Sequence, residues 1–219
     1  MHDAATGLCA GRETNLGNFW DERYDSDDYF YGTAPNDFLA AQATRLPAGA
    51  RVLCLAEGEG RNAVYLAGLG HQVTAVDGSA VGLRKAARLA QLQGVPLATV
   101  VADLNDFAIE PGAWDAIVSI WCHLPPALRA KVHAGVETGL APGGWLILEA
   151  YHPSQIGRGT GGPASPELMM TLAALRSELK ELQWEVAQES EREVAEGAGH
   201  RGWSAVTQLA ACQAIRTAT

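Results

Sequence analysis

The sequence predicts an α/β fold in which a doubly wound, mostly parallel sheet carries an antiparallel pair of strands at one edge. Between residues 51 and 150, short apolar segments alternate with helical segments, a pattern typical of right-handed β-α-β crossovers. Two strand-like segments then follow each other directly, with two glycines between them, which predicts a hairpin. A chain of 219 residues suffices for one filled α/β domain, so we expect a single domain over residues 1–219.

Apolar runs bounded by turn residues give the strands, and helical spacing between capping residues gives the helices. The predicted strands are residues 51–56, 72–76, 97–101, 114–121, 145–150, 183–194 and 203–213. The predicted helices are residues 36–46, 62–69, 79–93, 125–140 and 166–182. In the helix 79–93, Ser79 is the expected N-cap, and Leu83, Ala87, Ala90 and Leu92 form the expected core face. The charge-rich residues 189–196 are expected to be the solvent-exposed face of an edge strand.

Composition limits the possible partners. A formal net charge of −9 and an isoelectric point near 5.1 argue against a nucleic-acid backbone or an anionic membrane as the partner. The four cysteines, Cys9, Cys54, Cys122 and Cys212, are widely spaced, which favours free thiols and predicts no metal site. No apolar run approaches the 18 residues of a membrane span, and no signal peptide is recognisable, so we expect a cytoplasmic protein.

The segment after the first strand has the features of a nucleotide site. Gly58 and Gly60 allow a tight turn, after which a helix N-terminus presents free N–H groups to a ligand. Asp77 ends the second strand, where a carboxylate accepts hydrogen bonds from both hydroxyls of a ribose. A nicotinamide dehydrogenase would favour a third glycine three positions after Gly60, and this chain has Ala63 there. These residues make a nucleoside-containing cofactor the leading hypothesis.

Five motifs occur together in a recognisable order. They are residues 52–60, Asp77, Asp103 with Leu104, Trp114 with Asp115, and residues 140–148. Over residues 50–150 they resemble the class I methyltransferases that use S-adenosylmethionine. Residues 20–24 and 31–36 are similar to the N-terminal segment of the tellurite-resistance-type and thiopurine-type methyltransferases, a match that covers only a few positions.

This resemblance implies a Rossmann-like sheet of seven strands, the last of them antiparallel. It implies a cofactor-binding core at residues 50–150, an N-terminal lid or helix segment at 19–48, and a substrate-side segment at 151–219. The implied reaction converts S-adenosyl-L-methionine to S-adenosyl-L-homocysteine and methylates a small molecule, with sulfur, selenium or tellurium as the candidate acceptor atom. The alternatives are O- or N-methylation of a metabolite, protein or RNA and, with less support, a nicotinamide-dependent oxidoreductase or a non-catalytic cofactor-binding protein. We expect no nucleic-acid or membrane partner, and a monomer or homodimer.

The resemblance also implies roles for individual residues. The expected cofactor contacts are Trp20, Glu57, Gly58, Gly60, Arg61, Asn62, Asp77, Gly78, Ser79, Asp103, Leu104, Trp121 and Cys122. The expected substrate contacts are Tyr31, Gly32, His123, Tyr151 and His152, and the candidate catalytic residues are His123 and Tyr31. Three alternatives stay open: Asp77 as a helix cap, Asp103 as a turn former and His123 as a core-edge histidine. The loop 159–162 is either a lid or a flexible connection.

Two positions depart from the family pattern. Cys54 stands where the family commonly has an acidic residue, and Ala56 where it has glycine; Glu57 is the candidate for the missing carboxylate.

Residues 20–36 hold five aromatic side chains, too many for a disordered tail, and an acidic run. We expect this segment to cross the carboxyl edge of the sheet with its aromatic rings inward and Asp25, Asp27 and Asp28 outward. It then serves either as a lid or as a fixed strap.

Overall fold

The computed structural model describes residues 16–215, so Cys9 lies outside the described residues. Its strands are β1 (Arg51–Leu55), β2 (Gln72–Asp77), β3 (Ala98–Val101), β4 (Trp114–Ile120), β5 (Leu140–Tyr151), β6 (Leu182–Glu196) and β7 (His200–Gln213). They form one sheet in the order β3-β2-β1-β4-β5-β7-β6. The first five strands pair in parallel, and β7 is antiparallel to both β5 and β6. The predicted fold class is confirmed.

Helices cover both faces of this sheet. They are α1 (Leu16–Tyr24), α2 (Asp37–Gln42), α3 (Arg61–Gly68), α4 (Ala80–Gln93), α5 (Pro126–Gly139) and α6 (Leu172–Glu178), with short 3₁₀ helices at Ala43–Arg45, Pro153–Gln155 and Pro166–Leu168. One core cluster packs α2, α3 and α4 against the sheet, and a second packs α5 and α6 against the other face. Among the described helices, none has the length and apolar character that crossing a membrane requires.

The helix α4 follows the sequence signals at both ends. The Ser79 side chain accepts a hydrogen bond from the Gly82 amide, and Gly94 ends the helix in the left-handed conformation. Its core face differs from the prediction, because Ala87 and Leu92 are exposed. Ala86 and Leu89 are buried instead, beside Leu83 and Ala90.

The predicted helix over residues 166–182 is wrong. The segment has a 3₁₀ turn, then an extended stretch at Met169 and Met170, and only then α6. The Met170 amide donates to the Tyr151 carbonyl, and its carbonyl accepts from the Thr207 hydroxyl at 2.6 Å. These bonds draw the backbone of Met170 to β5 and β7, so tertiary contacts override the local helical spacing.

The expectation that residues 189–196 form a solvent-exposed face is also partly wrong. Glu189, Glu191 and Glu193 are exposed, but Arg192 is half-buried and Glu196 is only 6% exposed. Strand side chains alternate between faces, and the even-numbered residues face inward with the buried Val194. The hairpin turn itself is where we predicted it, between Glu196 and His200.

Candidate functional site

The site lies at the carboxyl edge of the sheet, between β1 and β4. The strand order reverses there, since the chain proceeds from β1 outward through β2 and β3 before it returns to β4 on the other side. Open α/β sheets bind ligands at such a switch point. The residues directly after β1 and β4, Ala56 and Trp121, therefore border the expected crevice.

Asp77 is held at this edge by backbone amides. Its Oδ2 accepts from the Gly58 amide at 2.8 Å, and its Oδ1 accepts from the Ser79 amide at 2.7 Å. Burial raises the pKa of the Asp77 carboxyl, although both amide bonds oppose this shift. Each carboxylate oxygen keeps a further lone pair, so the arrangement fits a pair of ribose hydroxyls. The N-cap of α4 is Ser79, and Asp77 accepts from the amide of this cap residue.

Glu57 supplies a second amide-bound carboxylate. Its Oε1 accepts from the amides of Asn62 and Ala63 at 2.9 and 2.8 Å, in the first turn of α3. Burial raises the pKa of Glu57 to about 7 despite these bonds. The carboxylate absent at Cys54 is thus present three residues later, over the helix N-terminus.

The turn between β1 and α3 uses three residues with positive φ. Ala56 has φ of 49°, a value that favours glycine, the residue that the family pattern has at this position. Gly60 has φ of 91°, and a Cβ there would lie 2.5 Å from the Cβ of Ala86. Gly58 faces Tyr24, whose hydroxyl would lie 2.6 Å from an added Cβ. The close approach of α4 and Tyr24 therefore requires glycine at both positions.

Four rings form an aromatic cluster on the other side of the crevice: Tyr31, Trp121, Tyr151 and His200. Trp121 stacks on Tyr151 with ring centroids 4.3 Å apart. His200 lies 4.5 Å from Tyr31 and 4.9 Å from Trp121. The structure thus brings together three residues that the sequence placed near the site, and it adds His200, which we did not predict. The position of His200 directly after the predicted glycine turn is the signal that we missed.

The histidine predicted as a base has another contact. Nε2 of His123 accepts from the Tyr151 amide at 3.0 Å. Burial, with a smaller contribution from His200, lowers the pKa of His123 to about 3. This ring is therefore neutral and weakly basic, which does not favour a general-base role and agrees with the core-edge alternative. His152 lies outside the cluster, with Nδ1 2.8 Å from the Ser154 hydroxyl.

Four further residues that we predicted to contact the cofactor differ in burial and hydrogen bonding. Asp103 is exposed and forms a turn: its Oδ1 accepts from the Asn105 amide at 2.8 Å, and its carbonyl accepts from two further amides. Leu104 is buried against the core of β1 and β2. Cys122 is buried, which raises the pKa of its thiol to about 12. Gly78 lies between Asp77 and Ser79, where an added Cβ would have its nearest neighbour at 3.9 Å.

The N-terminal segment, residues 19–36, crosses this edge with the expected orientation. Trp20 stacks on Tyr24, with ring centroids 5.6 Å apart, and Tyr24 is buried against Gly58. Nζ of Lys85 donates to the carbonyls of Ser26 and Asp28 at 2.9 and 2.6 Å. The exposed acidic residues of the segment are Glu22, Asp25, Asp27 and Asp28. At its end, Gly32 approaches the hairpin turn at Gly197, with a distance of 3.5 Å from an added Cβ to the Gly197 nitrogen.

The glycine loop 159–162 packs directly on Tyr151. A Cβ on Gly161 would lie 2.6 Å from the Tyr151 hydroxyl, and one on Gly162 would lie 2.9 Å from Cδ2 of the same ring. Nε2 of Gln155 donates to the Thr160 hydroxyl at 2.8 Å and to the Gly161 carbonyl at 3.0 Å. The loop therefore supports the aromatic cluster through its packing on Tyr151.

A buried polar network, which the sequence did not predict, closes the hairpin side. Two carboxylates, Glu149 and Glu196, share the side chains of Asn36 and Arg192. Glu149 also accepts from Gln208 at 2.6 Å. Although burial opposes ionisation, the neighbouring His200 and Arg61 hold the pKa of Glu196 well below its usual range. The carboxylate of Glu196 is therefore charged in the folded protein.

Two predicted cofactor residues connect to this network. Arg61 is only 6% exposed, and its Nη2 lies 2.5 Å from Oε2 of Glu196. Its Nη1 is buried and lacks a hydrogen-bond partner among the described residues. Asn62 is buried as well, and its Oδ1 accepts from the Asn36 amide at 2.9 Å.

Comparisons with known proteins agree with this architecture. Residues 52–144 match a family described as a methyltransferase domain. One solved structure concerns the conversion of a disulfide bond into a thioacetal group during echinomycin biosynthesis. It is similar over 93% of this chain and 94% of its own, with 17% identity and a TM-score of 0.71. TehB from Haemophilus influenzae is similar over 90% of this chain and 66% of its own, with 18% identity and a TM-score of 0.67. No curated protein matches the chain in sequence.

A ligand-bound structure is also similar. The N-methyltransferase NodS from Bradyrhizobium japonicum, in complex with S-adenosyl-L-homocysteine, is similar over 91% of this chain and 98% of its own, with 13% identity and a TM-score of 0.65. At such identities these structures show a shared fold. The glycine turn, Asp77 and Trp121 all lie in the matched residues 52–144. The match of these residues to a methyltransferase domain and the similarity to the ligand-bound structure indicate S-adenosylmethionine as the cofactor.

Proposed function

We propose that this protein transfers a methyl group from S-adenosylmethionine to a small molecule whose nucleophilic atom is sulfur, selenium or tellurium. The observation that carries this proposal is the position of amide-bound Asp77 and the aromatic cluster on opposite sides of the switch-point crevice. The first side suits a nucleoside. The second suits an apolar, water-excluding reaction site.

The cofactor fits the first side in one orientation. Asp77 accepts the two ribose hydroxyls, while Gly78, Ser79 and Leu104 border the adenine. Asp103 is the candidate for the adenine amino group, in addition to its turn. The free Nη1 of Arg61 is the candidate for the methionine carboxylate, since a buried guanidinium nitrogen without a partner is costly. Glu57, with its carboxylate over the start of α3, is the candidate for the methionine ammonium.

The surroundings of the histidines support the soft nucleophile. Methyl transfer from a sulfonium is an in-line displacement with an activated leaving group, so the protein contributes mainly alignment and desolvation. Burial lowers the pKa of both His123 and His200, and both rings are therefore neutral and weakly basic. A thiolate or selenide needs little help from a base, whereas a hydroxyl or amide needs more. One structural neighbour, from echinomycin biosynthesis, also belongs to sulfur chemistry.

Residues 19–36 are proposed to act as a lid. Tyr24 is 5% exposed and packs on Gly58, so the segment covers the turn that the cofactor must reach. Tyr31 brings its ring to the aromatic cluster from the same segment, where it aligns the acceptor. We expect cofactor binding to slow amide hydrogen exchange across residues 20–36. Unchanged exchange there, with full activity after deletion of residues 1–33, would instead identify a strap.

Labelled S-adenosylmethionine tests the reaction. The protein is incubated with simple thiols and selenite, and in parallel with catechols, carboxylates and amines, and with RNA and protein fractions. We expect label in the thiol or selenium products. Label confined to catechols, carboxylates or amines would overturn the soft-nucleophile assignment, and label confined to RNA or protein would overturn the small-molecule acceptor.

Replacing Asp77 tests the cofactor site. Asp77→Ala removes the charged acceptor for the ribose hydroxyls, so we expect S-adenosylhomocysteine to bind more weakly by about 1.5–3 kcal/mol, or roughly 10–150-fold. Calorimetry on the folded variant gives the affinity. Asp115→Ala is the matched control, since Asp115 begins β4 at the opposite edge and pairs with the exposed Arg51. Equal affinities for wild type and Asp77→Ala would remove the ribose assignment.

A further inference from the structure

We propose that Glu196, the last residue of β6, is a positioning residue that sets the side-chain geometry of both Arg61 and Trp121 across the switch-point crevice. The inference rests on the proposed function, because it takes Arg61 as the contact of the methionine carboxylate. Glu196 thereby gives the hairpin tip a role in cofactor binding, although the tip is far from the glycine turn in sequence.

One oxygen of Glu196 joins the two sides of the crevice. Arg61 begins α3 directly after the β1 turn, and Trp121 follows β4 directly. Nη2 of Arg61 and Nε1 of Trp121 both lie 2.5 Å from Oε2 of Glu196. The residues that flank the switch point are therefore linked through a single carboxylate from the hairpin.

The other oxygen fixes the carboxylate itself. Oε1 of Glu196 accepts from Nδ2 of Asn36 at 2.8 Å and from Nη2 of Arg192 at 3.1 Å. With four donors on two oxygens and 6% exposure, Glu196 has little freedom to move. A carboxylate held in this way can define the positions of its partners.

The contact with Glu196 also orients the guanidinium group of Arg61. Because its nitrogens lie in one plane, fixing Nη2 also fixes the direction of Nη1. Nη1 is the buried nitrogen that lacks a partner in the described part of the chain. Glu196 thereby directs the free donor of Arg61 while neutralising its charge.

Trp121 needs positioning for a different reason. Its φ of 57° lies in the left-handed region, which is strained for a bulky residue and persists only where the surroundings enforce it. The bond from its indole to Glu196 and the bond from its amide to the Glu149 carbonyl at 2.8 Å supply that constraint. Its ring is then fixed against Tyr151 in the aromatic cluster.

Glu149 provides the matched comparison. It is fully buried and shares Asn36 and Arg192 with Glu196, but its side chain makes no hydrogen bond with Arg61 or Trp121 among the described contacts. Replacing Glu149 therefore perturbs the same network without touching the crevice residues. A role of the network in stability alone would make the two glutamates equivalent.

The test compares two ligands on the full-length protein by calorimetry. S-adenosylhomocysteine carries the amino-acid group, whereas 5′-methylthioadenosine has the same nucleoside and a sulfur but lacks the carboxylate. In Glu196→Gln we expect S-adenosylhomocysteine to bind about tenfold more weakly, the effect of one lost charge-assisted bond, with 5′-methylthioadenosine within about twofold of wild type. In Glu149→Gln we expect both affinities within about twofold, even where thermal stability falls.

The outcomes separate the two proposals. Equal weakening of both ligands in Glu196→Gln, or no weakening of either, would overturn the positioning role while the proposed function stands. Failure of the wild type to bind S-adenosylhomocysteine would overturn the proposed function, and the inference with it. If Glu196→Gln does not fold, Glu196→Asp keeps the charge but shortens its reach. It should show the same selective loss at a smaller size, and an unselective loss would also overturn the role.

Discussion

Asp77 and Glu57 lie on the β1–β2 side of the crevice, Glu149 and Glu196 lie on the hairpin side, and the two pairs have different hydrogen-bond partners. The first pair accepts from backbone amides that are 2 to 19 residues away in sequence. The second pair accepts from side chains, Arg61 and Asn36 among them, at separations of up to 160 residues. Backbone donors are present whatever the side chains are, whereas a side-chain network depends on each member.

This difference predicts where single substitutions have large effects. On the amide side, no cation has to be present for Asp77 to be satisfied. On the hairpin side, two buried carboxylates depend on Arg192, whose guanidinium contacts both of them. The hairpin side should therefore be the more sensitive to loss of one side chain.

Arg192→Ala should have the largest effect on stability. It leaves Glu149 and Glu196 buried without their shared cation, and breaking a buried ion pair by removing one partner costs about 3–5 kcal/mol. Urea denaturation followed by circular dichroism gives the loss of unfolding free energy.

The control is an ion pair that includes Glu191 of the same hairpin. Arg158 pairs with Glu191 at the surface, where screening and side-chain entropy offset most of the attraction, so Arg158→Ala should change stability far less. Similar losses for Arg192→Ala and Arg158→Ala would break the comparison between the two sides.

The same difference explains how much of the site the sequence predicted. The Asp77 site is local, because strand ends, a glycine turn and a helix N-terminus determine it, and all are visible as short motifs. The Glu196 contacts depend on how the hairpin tip meets α3 and the N-terminal segment, which no local motif encodes. The alternation of β6 did carry part of the signal, since Glu196 shares its parity with the buried Val194.

The error in the helix over residues 166–182 has the same origin. The helix predicted over residues 166–182 is interrupted where Met170 bonds to β5 and β7, a contact between segments far apart in the chain. The strands, the cap at Ser79 and the hairpin turn were predictable, because each rests on a few consecutive residues. Where contacts between distant segments determine the structure, as at Met170, local propensity alone does not predict it.

The pH dependence of cofactor binding sharpens the comparison on the amide side. With a pKa of about 7, Glu57 is mostly protonated at pH 6 and mostly ionised at pH 8. The methionine ammonium favours the ionised form, so affinity for S-adenosylhomocysteine should rise by up to about tenfold from pH 6 to pH 8, with release of a proton. Since this folded-state pKa lies above the usual value, Glu57 also lowers stability as pH rises through about 7.

Calorimetry in two buffers with different ionisation enthalpies measures the released proton. Glu57→Gln has no group that titrates in this range, so its affinity should lose the rise between pH 6 and pH 8. On the hairpin side, the Glu196 carboxylate remains ionised there, because its pKa is lowered. A pH dependence that persists in Glu57→Gln would assign the proton to another group.

The smallest predicted effect concerns the two non-glycine residues that have positive φ within residues 16–215, one on each side of the crevice. Trp121 has its indole bond to Glu196 to offset the strain, while the methyl group of Ala56 has no polar contact to offer. Ala56→Gly should therefore stabilise the protein by about 0.5–1 kcal/mol, because relief of the left-handed strain exceeds the added entropy of the unfolded chain. The melting temperature should rise by about 1–4 °C for a chain of this size. Ala67→Gly, within α3, should shift it in the opposite direction, since glycine weakens a helix interior. A fall in melting temperature for Ala56→Gly would show that the alanine methyl group contributes packing that outweighs its backbone strain.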